Sequence, residues 1–139
     1  MNVLILVTTL LLSSPVDETY AKEDLLDAMC QVESNCDSDE VGDDGDSIGA
    51  YQIQYAYWLD ATEFSGIGGD YEDVLNKEYA RKIVLAYWNR YATKKRLGHE
   101  PTLEDMARIH NGGPNGFKKK ATVVYWTKVE KVLNNNEGE

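Results

Sequence analysis

The chain of 139 residues has room for one domain, and a composition of 42% hydrophobic and 27% charged residues is that of a globular protein rather than a disordered one. A formal charge of −10 argues against nucleic acid as a partner and gives no long-range steering toward anionic surfaces. Two cysteines and two histidines, His99 and His110, supply no recognisable zinc spacing, so neither a metal nor another cofactor is called for.

In chain order, residues 1–21 read as a signal peptide. The apolar run from Asn2 to Leu12 is too short to span a bilayer, and Ser13-Ser14-Pro15 and the small-x-small triplet Thr19-Tyr20-Ala21 follow it, with cleavage expected after Ala21. A basic start is missing, and the alternative is a buried N-terminal strand or helix. Cleavage would take away Asp17 and Glu18, bring the formal charge from −10 to −8 and leave residues 22–139 as one secreted, extracellular domain. No other apolar run is long enough for a membrane span.

Residues 23–34 carry Leu25, Leu26, Met29 and Val32 three or four apart, the spacing of one helix face, and place Glu33 near the C-terminal end. Cys30 and Cys36 flank it, and in an oxidising compartment a local bridge is the natural reading of two cysteines in a secreted chain. Asn35 to Gly49 is rich in Asp, Gly and Ser and reads as a loop or short hairpin, after which the aromatics Tyr51, Tyr55, Tyr57 and Trp58 return. Gly66, Gly68 and Gly69 make a second break. Glu78 to Leu97 then reads as one long helix stopped by Gly98, with Ile83, Leu85, Ala86, Tyr87, Trp88 and Tyr91 inward.

Pro101-Thr102 before Glu104-Asp105 has the form of a capped helix start, with Leu103, Met106 and Ile109 on one side and Asn111-Gly112-Gly113-Pro114 at the end. Ala121 to Leu133 forms a last amphipathic helix, and the tail from Asn134 to Glu139 is expected to fray. No repeat or linker is visible. The expected class is α+β, predominantly helical, with a small irregular or β-structured lobe.

Glu33 follows the apolar Met29 and Val32, a half-buried setting of the kind that favours a protonated carboxyl group. Hydrolysis of a glycosidic bond needs such an acid for the leaving oxygen and a second, ionised carboxylate across the bond. On position alone, a solvated helix-end glutamate is the plainer reading. Asp43, Asp44 and Asp46 offer candidate second carboxylates on a polar turn, whose acids could equally do no more than solvate it. A calcium loop starting at Asp37 fails, because its fifth and twelfth positions are Val41 and Ile48, where oxygen ligands are needed. Tyr51, Tyr57 and Trp58 could stack on sugars, though aromatics at such spacing more often belong to the core, and the glycines after His110 allow close backbone approach to a ligand. Lys118-Lys119-Lys120 reads as a solvated turn.

These pieces together resemble the invertebrate-type, destabilase-like lysozymes. The matching segments are Cys30-Gln31-Val32-Glu33-Ser34-Asn35-Cys36, Gly49-Ala50-Tyr51-Gln52-Ile53 with Tyr57-Trp58, and Tyr87 with Arg90-Tyr91-Ala92-Thr93. The most specific is Ala107-Arg108-Ile109-His110-Asn111-Gly112-Gly113-Pro114-Asn115-Gly116, with Tyr125-Trp126 behind it. The resemblance spans roughly residues 25–130. It implies a lysozyme-like fold and cleavage of the bond between N-acetylmuramic acid and N-acetylglucosamine in peptidoglycan; separately, a monomer is expected.

In that family's pattern Glu33 is the acid and Asp43 the second carboxylate, with Asp44 and Asp46 as alternatives. Tyr51, Gln52, Tyr57, Trp58, His110, Asn111 and Gly112 are the expected substrate contacts. Family association also raises isopeptidase activity, for which Ser34 or Ser47 with His110 would be the only pair. The Asp-rich turn resembles that of lytic transglycosylases, which need only the glutamate and are the competing enzyme reading. A glycan-binding protein without catalysis is the competing non-enzyme. The animal members of the family are rich in cysteine, whereas positions such as Ile48 and Phe117 are apolar here, so the fold must rest on its core.

Overall fold

The computed structural model describes residues 18–138. Most of the expected signal peptide lies outside the described residues, and the expected cleavage point after Ala21 falls within the first helix. That helix, α1 (Glu18–Ser34), buries Leu25, Leu26 and Met29 completely, so the predicted apolar face is the one that meets the core. The strands β1 (Val41–Gly42), β2 (Ser47–Ile48) and β3 (Ile53–Gln54) form a small antiparallel sheet in the order β1-β2-β3. Val41 pairs with Ile48, and Ile48 with Ile53. The polar stretch after α1 is therefore a hairpin, and the expected β lobe is present.

Four more helices and one short helical turn complete the domain: α2 (Tyr55–Ser65), α3 (Lys77–Tyr91), α4 (Lys94–Leu97), α5 (Leu103–Gly112) and α6 (Val123–Asn136). Helix α1 packs on α5 and α6, and α3 on α2 and α5. Ile53, Ile83, Val84, Ile109 and Val129 meet Leu25, Leu26 and Met29 in the shared core. Burying each such side chain contributes about 1.5–3 kcal/mol. Ile48 and Phe117 pack against this core, as a cysteine-poor chain requires. Among the described residues no helix is long and apolar enough to cross a membrane.

Two helix boundaries differ from expectation. The long helix predicted over 78–97 breaks after Tyr91, because Ala92 leaves helical backbone and the Thr93 side chain accepts from the Arg96 amide, starting α4 afresh. Gly98 does stop it, at φ +82°. Helix α6 runs on to Asn136, three residues into the tail from Asn134 that was expected to fray. Helix α5 has the predicted start: Thr102 accepts from the Asp105 amide and Asp105 returns a bond to the Thr102 amide.

Helix α5 ends in a turn held by close packing. A Cβ on Gly116 would overlap the carbonyl group of Arg108. Gly116→Ala is therefore expected to lower stability by about 1–3 kcal/mol, read from urea unfolding, because backbone rather than a flexible side chain must move.

Cys30 and Cys36 are bridged, joining the last turn of α1 to the reversal after it. Asn35 and Cys36 both have left-handed backbone, at φ +56° and +58°. Replacing both cysteines by alanine is expected to cost about 2 kcal/mol by the loop-entropy argument, measured in the same unfolding experiment.

Candidate active site

A cleft of about 600 Å³ runs between the β lobe and the helices. Glu33 reaches it from the last turn of α1 with its side chain 16% exposed. The bridge and the left-handed reversal hold that turn from behind. Ser34, next to it, donates its hydroxyl to the Ala50 carbonyl at 2.8 Å, which ties the helix end to the β lobe.

His110, on α5, is buried and lies against Glu33, with Nε2 3.4 Å from Oε1. The same Nε2 is 3.1 Å from the Tyr51 carbonyl oxygen, which can only accept, so this nitrogen carries the hydrogen. In the neutral ring Nδ1 is then an acceptor, and the Tyr57 hydroxyl donates to it at 3.0 Å. Burial above all, with the neighbouring Tyr87 and Glu33 adding to it, pushes the Tyr57 phenol well above its ordinary pKa of 10. Tyr57 therefore keeps its proton at neutral pH and stays a donor. Tyr125 stands on the other helix, α6, with its buried phenol also pushed well up by burial and by the charge of Glu33. Its hydroxyl has no partner of good hydrogen-bond geometry among the described residues.

Asp43 enters the cleft from the turn between β1 and β2. The turn carries three successive residues with positive φ, Asp43 at +51°, Asp44 at +56° and Gly45 at +99°, which projects Asp43 out of the hairpin. The buried Ser47 hydroxyl donates to its Oδ2 at 2.6 Å, fixing the carboxylate while leaving it exposed. Of the three candidate aspartates, Asp43 alone lines the cleft. Asp46 instead places its charge near Tyr71, whose pKa it helps to raise after burial.

The other expected contacts divide. Tyr57, Gln52, His110, Asn111 and Gly112 all line the cleft. Gln52 uses its amide to hold the hairpin, donating to the carbonyls of Gly49 at 3.0 Å and Glu40 at 3.2 Å. Tyr51 is no sugar platform: its side chain is completely buried, and what it gives the site is the backbone carbonyl that orients His110. Trp58 also stands away from the cleft, donating to the Tyr79 hydroxyl at 2.9 Å and packing among Tyr55 and Tyr71. Neither Ser34 nor Ser47 bonds to His110, since their hydroxyls are engaged by Ala50 and Asp43.

The sequence reading missed Asp60, Tyr87 and Lys119, which line the same cleft. Tyr87 stacks on Tyr57 with ring centroids 3.7 Å apart. Asp60 is paired with Arg90 and accepts from the Tyr91 hydroxyl. A helix over 55–65 would have put Tyr57 and Asp60 on one face three residues apart, and that spacing was the available signal.

A shielded carboxyl group beside a histidine and an exposed, fixed carboxylate in one cleft are the parts that glycosidic-bond hydrolysis uses. The profile of the destabilase family matches residues 22–132. Invertebrate-type lysozyme 6 of Caenorhabditis elegans is 34% identical, over 81% of this chain and 87% of the relative. A lysozyme of Meretrix lusoria is 36% identical, over 77% and 86%. The crystal structure of Tapes japonica lysozyme superposes with a TM-score of 0.68 at 34% identity, over 78% of this chain and 88% of that one. The fold and the relatives thus define an enzyme of the lysozyme class, a glycosidase. The chain belongs to the destabilase family, the invertebrate-type lysozymes.

Proposed function

We propose that this enzyme hydrolyses the β-1,4 bond between N-acetylmuramic acid and N-acetylglucosamine in bacterial peptidoglycan, with Glu33 as general acid and Asp43 as nucleophile or stabiliser of the oxocarbenium-like transition state. The observation that carries this reading is the contrast between the two carboxyl groups. Glu33 is shielded and sits against His110 and Tyr125, whereas Asp43 is exposed and held by Ser47. Protonation of the leaving oxygen by Glu33 would leave positive charge on the sugar ring, and an ionised Asp43 would meet it.

His110 would position Glu33 rather than exchange protons with substrate, since its Nε2 hydrogen is engaged by the Tyr51 carbonyl while the ring packs against the glutamate, Nε2 lying 3.4 Å from Oε1. Tyr57, Gln52, Asn111 and Gly112 would contact the glycan along the cleft. The protein would act as a secreted monomer after removal of residues 1–21. A disulfide in so short a segment fits an oxidising compartment.

The test is lysis of purified Gram-positive cell walls by the purified protein, followed as loss of turbidity with release of new reducing ends. Loss of turbidity without reducing ends would point to the single-glutamate transglycosylase chemistry. Binding to walls without any loss would leave only a glycan-binding role.

A further inference from the structure

The acidity of the chain hides a segregation of charge. No acidic residue occurs between Glu78 and Glu100 or between Asp105 and Glu130, and eleven of the fourteen lysines and arginines fall in those two stretches. The fold brings the second half of the first stretch onto the second. Arg96 of α4 donates to the Pro114 carbonyl at 2.9 Å and to Asn115 Oδ1 at 3.2 Å, and Arg108 donates to the Lys119 carbonyl at 3.1 Å. Lys118, Lys119 and Lys120 therefore stand on a braced turn beside α4, all three exposed.

None of Lys95, Arg96, Lys118, Lys119 and Lys120 has a carboxylate partner among the described residues. Lys119 also lines the cleft, with Nζ held 2.6 Å from the Gly112 carbonyl oxygen. Glu40, Asp43, Asp44 and Asp46 gather on the β lobe. Of these residues Asp43 and Lys119 line the cleft itself, so its rim is acidic at Asp43 on the β lobe and forms a basic lip where the lysine turn meets it at Lys119.

We propose that the basic lip formed by Lys118, Lys119 and Lys120 binds the carboxylates of the short peptides that hang from alternate sugars of the glycan strand, so that the enzyme prefers strands bearing stem peptides to naked glycan. The proposal rests on the glycan-cleaving reading of the cleft. Because Lys119 belongs to both the lip and the cleft, the anion it meets must lie within a side chain's reach of the sugars. A peptide attached to the sugar itself meets that condition. Unpaired surface lysines contribute little singly and are screened by salt, so the effect is a preference, strongest at low ionic strength.

The experiment measures initial rates on two substrates freed of teichoic acid: glycan strands with uncrosslinked stem peptides, and the same strands stripped of peptide by an amidase, with the lactyl carboxylate that this frees capped as its neutral methylamide. The rate ratio of the first to the second is compared between the wild-type enzyme and the Lys118→Gln/Lys119→Gln/Lys120→Gln variant. The expected result is a fall in that ratio of about threefold to tenfold at low salt, a smaller fall at high salt, and a wild-type ratio in the matching triple arginine variant, which keeps the charges.

An unchanged ratio in the glutamine variant, or loss of the ratio in the arginine variant, would overturn the proposal. A preference that appears only on walls retaining teichoic acid would assign the lip to phosphate and overturn it as well. Failure to cleave either substrate would instead count against the glycan-cleaving reading itself.

Discussion

Glu33→Gln is expected to reduce wall hydrolysis by about 10²–10⁴-fold while the protein unfolds at the same urea concentration as the parent. The amide has the shape of the acid and can still pack against the His110 ring, whose Nε2 lies 3.4 Å from Glu33 Oε1, so the cleft keeps its form. It has no proton of the required acidity to give to the leaving oxygen. The surroundings make the substitution informative, because Tyr57 and Tyr125 are both held protonated by burial and cannot take over the acid role near neutral pH. A variant within about tenfold of the parent would remove Glu33 from that role, since it would fall below the usual range of general acid catalysis.

The second large effect is expected at Asp43. Asp43→Asn keeps an acceptor oxygen for the Ser47 hydroxyl, now 2.6 Å from the carboxylate, but removes the negative charge opposite the developing positive charge on the sugar. Losing one preorganised electrostatic partner costs about 10²–10³ in rate, and loss of a nucleophile would cost more. Asp44→Asn and Asp46→Asn serve as controls of equal charge change in the same turn. Neither side chain lines the cleft, so both should stay within about threefold of the parent at fixed ionic strength, which holds long-range charge effects constant. If Asp44→Asn were the inactive variant, the turn would present a different carboxylate to substrate than Asp43.

Much of this architecture was legible in the sequence where local chemistry decides it. Helix α5 announces itself twice, through the reciprocal Thr102 and Asp105 cap and through Leu103, Met106 and Ile109 along one side. The loop or short hairpin was read from the scarcity of apolar residues between Asn35 and Gly49, where Val41 and Ile48 are the only aliphatic side chains. Helix α2 was not legible, because Tyr55, Tyr57, Trp58 and Leu59 crowd one turn and give no single apolar face. The break before α4 was missed because no glycine or proline interrupts the chain between Tyr91 and Gly98, and only the Thr93 side chain, accepting from the Arg96 amide, marks a new start.

The candidate site shows the same division. Glu33 and Asp43 belong to short segments whose residue order carries the signal. For Tyr51 a sugar-stacking role and a core position both stayed open, because an aromatic residue after a polar loop looks the same in sequence whether its ring faces a ligand or the core. The structure uses its backbone carbonyl instead. Tyr87 and Lys119 reach the cleft from elements far apart in the chain, and only the packing of α3 on α2 and α5, with the bracing of the lysine turn by Arg108, brings them there. Bulk charge was the least informative quantity. A net of −10 concealed two long stretches without a single acid.

Hydrolysis by a carboxylate pair is read out by mass spectrometry of the muropeptides released from purified peptidoglycan. Fragments that carry one added water and end in reducing N-acetylmuramic acid are expected from the parent enzyme and the Asp44→Asn variant, and are expected to be lost in both Glu33→Gln and Asp43→Asn. Fragments ending in an anhydro sugar, formed at the parent rate by Asp43→Asn, would contradict hydrolysis by that pair.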